Sequence, residues 1–152
     1  MLSRKGEKDL TRFLKEHDTG YQRALREIKN GKKRSHWMWY IFPQIQGLGR
    51  SEMNQYYSIK DLNEAKEYMA NEILRNHLIE ISQALLQLES NDPREIFGYP
   101  DYLKLQSSMT LFGIADPEQT VFKQVLDKFY NGEPDAKTIG KLKKKKRTSL
   151  EI

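Results

Sequence analysis

Residues 32–51 read Lys-Lys-Arg-Ser-His-Trp-Met-Trp-Tyr-Ile-Phe-Pro-Gln-Ile-Gln-Gly-Leu-Gly-Arg-Ser. Six apolar residues in succession, Trp37 to Phe42, four of them aromatic, stand between a cationic lead-in and a Gly-Leu-Gly-Arg-Ser loop. A short apolar run does not by its period distinguish helix from strand, and its aromatic content favours strand. The rest of the chain decides. No other segment has the alternation of a partner strand, and a lone strand would leave backbone groups unpaired in the core. Trp37 to Phe42 is therefore expected to be a buried helix that stops before Pro43.

Helical spacing continues on both sides. Leu10, Phe13 and Leu14 mark a helix from Glu7 to Asp18, and Tyr21, Ala24, Leu25 and Ile28 mark a second from Thr19 to Asn30, closed by Gly31. After the loop, Glu52 to Ile59 reads as a short helix. Asp61 and Glu64 give a start signal for the next, and Ile73, Leu74, Leu78, Ile81, Leu85 and Leu88 trace an apolar stripe over Asn71 to Glu89. Asp92-Pro93 opens a helix that Gly98 closes, Tyr102 to Ile114 reads as a second buried helix, and Asp116-Pro117 with Gln119 caps a last one ending at Gly132. The expectation is one all-α domain over residues 1–140, irregular and multi-helical, with about seven or eight helices, two of them largely buried.

The chain has 152 residues, enough for one domain with a substantial core. It has no cysteine, which removes disulfides, thiolate metal sites and a cysteine nucleophile. The N-terminal residues lack the apolar core of a signal peptide, and no run approaches the ~18 apolar residues of a membrane helix, so the expectation is a soluble cytoplasmic protein with no membrane partner. The formal charge of +5 lies in residues 141–152, where Lys141, Lys143, Lys144, Lys145, Lys146 and Arg147 face only Glu151. The balance of the chain is neutral. That argues against a dedicated nucleic-acid binder, except through a basic tail expected to be disordered and solvated.

Ser35 to Gln44, Gly47 to Ser51 and the Asp101 to Phe112 segment, Asp-Tyr-Leu-Lys-Leu-Gln-Ser-Ser-Met-Thr-Leu-Phe, resemble the domain of unknown function 1810 family of small bacterial proteins. The likeness extends from about Asp9 to Pro134. It implies an all-helical fold and no established activity; the lysine-rich tail lies outside the family's pattern.

Several residues are candidates for chemistry, each with a plainer reading beside it. The Gly47-Leu48-Gly49-Arg50-Ser51 loop combines open backbone, a guanidinium and a hydroxyl, as an anion site needs, yet lacks nucleotide-binding spacing and also reads as a turn whose Ser51 caps a helix. His36, at the mouth of the aromatic run, can serve as acid or base or as a helix-start residue. Glu52 is a second acid–base candidate placed where a helix start uses a carboxylate. Trp37 can wall a pocket for a flat ligand or fill the core. Lys104, Ser107 and Ser108 share a helical face and can line a site, or the hydroxyls can bond carbonyls four residues back. His17 and His77 have no partner at metal-ligand spacing, so no metal and no cofactor are expected. The function expected is binding of an anionic, nucleotide-like small molecule, with or without metal-independent catalysis by His36 or Glu52. The alternative is a non-catalytic protein-interaction module whose aromatic motif is only core packing.

Overall fold

A computed structural model of the protein describes residues 9–151, and side chains through Lys144. Among these residues the elements are α1 (Thr11–Lys29), α2 (Met38–Ile41), α3 (Glu52–Tyr57), α4 (Leu62–Ala70), α5 (Glu72–Leu86), α6 (Pro93–Phe97), α7 (Asp101–Ala115), α8 (Val121–Tyr130) and α9 (Ala136–Glu151). There is no strand among them, only one isolated parallel bridge between Ile45 and Ile59. The fold is all-α.

Side-chain caps fix several helix starts, each satisfying an N–H that the helix itself leaves unpaired. Ser51 accepts from the Asn54 N–H at 3.1 Å to start α3, and Asp61 from the Glu64 N–H at 2.9 Å to start α4. Asn71 caps α5 through the Leu74 N–H at 3.1 Å, and Asp92 caps α6 through the Arg94 N–H at 2.9 Å with Pro93 at the first helical position. α8 ends on Asn131 at φ 55° and Gly132 at φ 79°, left-handed conformations that break the helical ladder.

Three expectations are revised. The first pair of helices is a single helix, α1, because Gly20 does not break it: the Tyr40 hydroxyl lies 3.1 Å from where a Cβ at Gly20 would stand, so the glycine makes room for a ring. The central helix is a single turn, Met38–Ile41, after which the chain extends and pairs with Ile59 through Gln46 N–H to Ile59 O and Ile59 N–H to Gln44 O, both 2.8 Å. The helix start expected at Asp116 also lies further on, with α8 beginning at Val121 after Thr120.

The core is one cluster in which α5 packs on α1 and α8, and α7 packs on α4 and α8. Its spine is aromatic: Phe13 meets Tyr68 edge to face at 5.2 Å, Tyr68 meets Phe112 at 4.9 Å, and Phe112 meets Phe122 at 6.2 Å. A buried ion pair ties α1 to α4. Arg12 reaches Glu64 at 3.0 Å and also donates to the Asp9 carbonyl and to the Tyr56 and Ser58 carbonyls, the last two at 2.9 and 2.8 Å, so the charges are satisfied away from water. The tail expected to be disordered, residues 141–152, overlaps α9, which runs as helix through Glu151; its side chains from 145 on lie outside the described residues. No helix among the described residues is long and apolar enough to cross a membrane.

Candidate functional site

The residues singled out in the sequence are distributed over several local tasks. Trp37 is 1% exposed, and its indole N–H donates to Glu27 at 2.9 Å. The same carboxylate accepts from the Arg34 and Ser35 N–H groups, at 2.6 and 2.9 Å, and from the Ser35 hydroxyl. Burial opposes the Glu27 charge, but the donors from Ser35, Arg34 and Trp37 outweigh it and hold the carboxyl down to about 2. The start of the aromatic motif is thus an internal polar knot between α1 and residues 34–37.

Ser51 spends its oxygen capping α3, and Gly49 faces Asn54 so closely that a Cβ there would lie 2.3 Å from the Asn54 amide carbon. Arg50 and Glu52 are exposed, and the Arg50 side chain makes no hydrogen bond or ion pair among the described residues. His36 is likewise exposed. Lys104 meets Asp101 at 3.6 Å and sits 5.7 Å from the Trp39 ring; Asp101 in turn holds Lys33 at 2.9 Å. Ser107 faces the Leu103 carbonyl and the Asp135 carboxylate, which also accepts from Thr138 and so joins α7 to the start of α9. Ser108 is fully buried, and its hydroxyl has no partner among the described residues.

A different constellation stands between α1 and α5. His17 and His77, 60 positions apart in sequence, meet Nδ1 to Nδ1 at 2.9 Å. Their ring planes differ by 9° with centroids 5.2 Å apart, so the rings meet edge to edge in nearly one plane. The other nitrogen of His17, Nε2, lies 2.7 Å from the Tyr40 carbonyl. A carbonyl only accepts, so His17 carries its proton on Nε2 and offers a lone pair at Nδ1. His77 must then donate from Nδ1, which leaves its Nε2 as an acceptor. Tyr21 stacks on the His77 ring at 3.7 Å and 2°, and its hydroxyl donates to Glu80 at 2.6 Å.

Burial is the main reason that His17 is pushed down to about 4, against the pull of the Tyr40 carbonyl and with help from His77. It is neutral at physiological pH. Burial also lowers His77, while the Glu80 carboxylate draws it back upward. His77 is half-buried and opens on a cleft of about 760 Å³ lined by Thr11, Leu14, Lys15, Asp18, Gln22 and Ile73 together with the two histidines and Tyr21. The sequence carried no local signal for this pair, because neither histidine has a motif around it. Among the described residues no group of three or more His, Cys, Asp or Glu side chains is placed to hold a metal ion.

A family model described as a protein of unknown function, DUF1810, matches residues 7–142. The chain belongs to the DUF1810 family. The crystal structure of the conserved hypothetical protein Rv1873 from Mycobacterium tuberculosis is similar to it, at 40% identity and a TM-score of 0.86, over 88% of this chain and 96% of that one. No curated protein matches. For this DUF1810 chain, the His17 and His77 pair is where fixed tautomers, a free ring nitrogen and a concave surface coincide. That is a combination able to move a proton to or from a bound molecule.

Proposed function

We propose that this DUF1810 protein binds a small molecule in the cleft between α1 and α5 and is equipped for metal-independent acid–base chemistry there. The observation that carries the reading is that His77 lines a 760 Å³ cleft while its Nδ1 is engaged by a partner whose own tautomer is fixed by the Tyr40 carbonyl. A cleft of that size with a few convergent polar groups is the ordinary form of a ligand site. The reading takes the protein as bacterial and cytoplasmic, in keeping with its mycobacterial relative and its lack of cysteine.

The experiment is a thermal-shift screen of small polar metabolites, repeated on Ile73→Trp, which places an indole at the cleft where Ile73 is 54% exposed. Hits expected for the native chain are lost in the variant. Hits that persist undiminished sink the cleft as their site. An anionic, nucleotide-like ligand on the Arg50 loop is a separate form of the small-molecule reading, supported by the exposed guanidinium, and Arg50→Ala tests it on the same panel.

The interaction-module reading has one observation in its favour. Trp37, Ser51 and Ser107 are all taken up in internal bonds, while Tyr99 is 80% exposed beside Tyr102 and Leu103. Loss of a copurifying protein on Tyr99→Ser, together with an empty ligand screen, would favour it.

A further inference from the structure

We propose that His77 is the catalytic acid–base residue of a hydrolytic site for small acyl esters in the α1/α5 cleft, with His17 as the residue that positions it. The inference rests on the cleft reading above and goes beyond binding to a reaction class.

The geometry prepares His77 in three ways. Its Nδ1–H donates in plane to His17, which fixes the rotation of the ring and the nitrogen that keeps the lone pair. Tyr21, stacked at 3.7 Å, covers one ring face and supplies an electron-rich surface to an imidazolium. Glu80, which the Tyr21 hydroxyl contacts, adds an attractive charge for the protonated form. His17 has its remaining nitrogen committed to the Tyr40 carbonyl and is too deeply buried to compete for the proton. The Nδ1–H to Nδ1 bond strengthens when its donor becomes charged, so the protonated intermediate state is stabilised more than the resting one.

The reaction balances on these groups alone. Nε2 takes one proton from a water molecule as the water oxygen bonds to the acyl carbon. The same proton passes from Nε2 to the leaving oxygen as the acyl C–O bond breaks, giving a carboxylic acid and an alcohol and returning His77 to its neutral form. Nothing is oxidised or reduced. The lining argues against phosphoryl esters, because its formal charges, Lys15 and Asp18, cancel and a neutral cleft does not compensate a phosphate dianion; an uncharged acyl ester asks for no such compensation. His17 and Tyr21 from α1 contact His77, Glu80 on α5 acts on its charge, and Lys15 and Asp18 from α1 line the same cleft. Their balance sets a pH profile that rises as His77 loses its proton.

The test uses hydrolysis of 4-nitrophenyl acetate by the full chain, with free imidazole at the same concentration as background. The expected result is a rate about tenfold or more above background that His77→Gln removes. His17→Gln retains the rate, because its amide can accept from His77 and donate to Tyr40; His17→Phe lowers kcat and shifts the pH midpoint while KM stays put. Nitrogen-15 NMR of the native protein is expected to show His77 protonated on Nδ1, a signature a merely structural histidine pair need not link to the rate. A native rate no higher than background, or His77 found protonated on Nε2 at neutral pH, overturns the inference. If Ile73→Trp abolishes the rate and His77→Gln leaves it intact, the catalytic assignment falls and the cleft stands. If neither variant changes a rate above background, both fall.

Discussion

Glu27 on α1 holds the indole N–H of Trp37 at 2.9 Å, and that one bond fastens the buried aromatic motif to the helix before it. The carboxylate has four donors, so removing it strands the buried indole N–H and two part-buried backbone N–H groups at once. Glu27→Ala is expected to lower stability by about 2–3 kcal/mol, measured by urea unfolding. A loss below about 0.5 kcal/mol, the size of an ordinary surface substitution, would contradict the role given to this knot.

Acid should act on this protein in two windows. His17 is held down to about 4 against an unperturbed 6.5, so its contribution is complete above pH 6.5 and is lost as the pH falls toward 4. Glu27 is held down to about 2 against 4.5, so its contribution persists to lower pH and is lost between those values. Stability measured against pH is expected to fall first in the upper window, and His17→Gln should shrink that step to the share that the lowered His77 contributes, while leaving the lower one.

The Arg12 and Glu64 pair is expected to be costly to break from either side. Glu64→Ala leaves a guanidinium that is buried and short of its counter-charge, a change that costs about 3–5 kcal/mol. Replacement of both residues by apolar ones of similar volume should cost much less, and a double-mutant cycle by chemical denaturation measures the difference.

Gly49→Ala places a methyl group 2.3 Å from the Asn54 amide carbon, a distance that requires the Asn54 side chain to leave its bond to Gln44 or the loop to move. The expected loss is about 1–3 kcal/mol. Arg50→Ala, one residue on, should change stability by less than about 0.5 kcal/mol, since its side chain is exposed and without a described partner. Equal losses for the two would show that the loop is held by the arginine rather than by the glycine contact.

Much of the fold is legible in the sequence because it is written locally. Asp61, Asn71 and Asp92 announce the helices they cap, and the apolar stripe from Leu74 to Leu85 is the buried face of α5. What escapes local reading depends on distant groups. The break expected between Asp18 and Thr19 does not occur: α1 runs through it, and the Tyr40 ring packs where Gly20 has no side chain. α9 had a signal that went unread, Asp135 three positions before Thr138, a cap pair completed by Ser107 on another helix. The candidate site was least legible of all. His17 and His77 become partners only when α1 and α5 pack, and no spacing rule spans 60 residues.

The two tryptophans differ in a way that light can register. Trp37 is sealed in the core with its N–H on a carboxylate, whereas Trp39 is half-buried with a lysine ammonium 5.7 Å from its ring. A small neutral quencher should therefore dim one fluorophore and spare the other, and the chain carries a built-in optical gauge of whether the aromatic motif is closed.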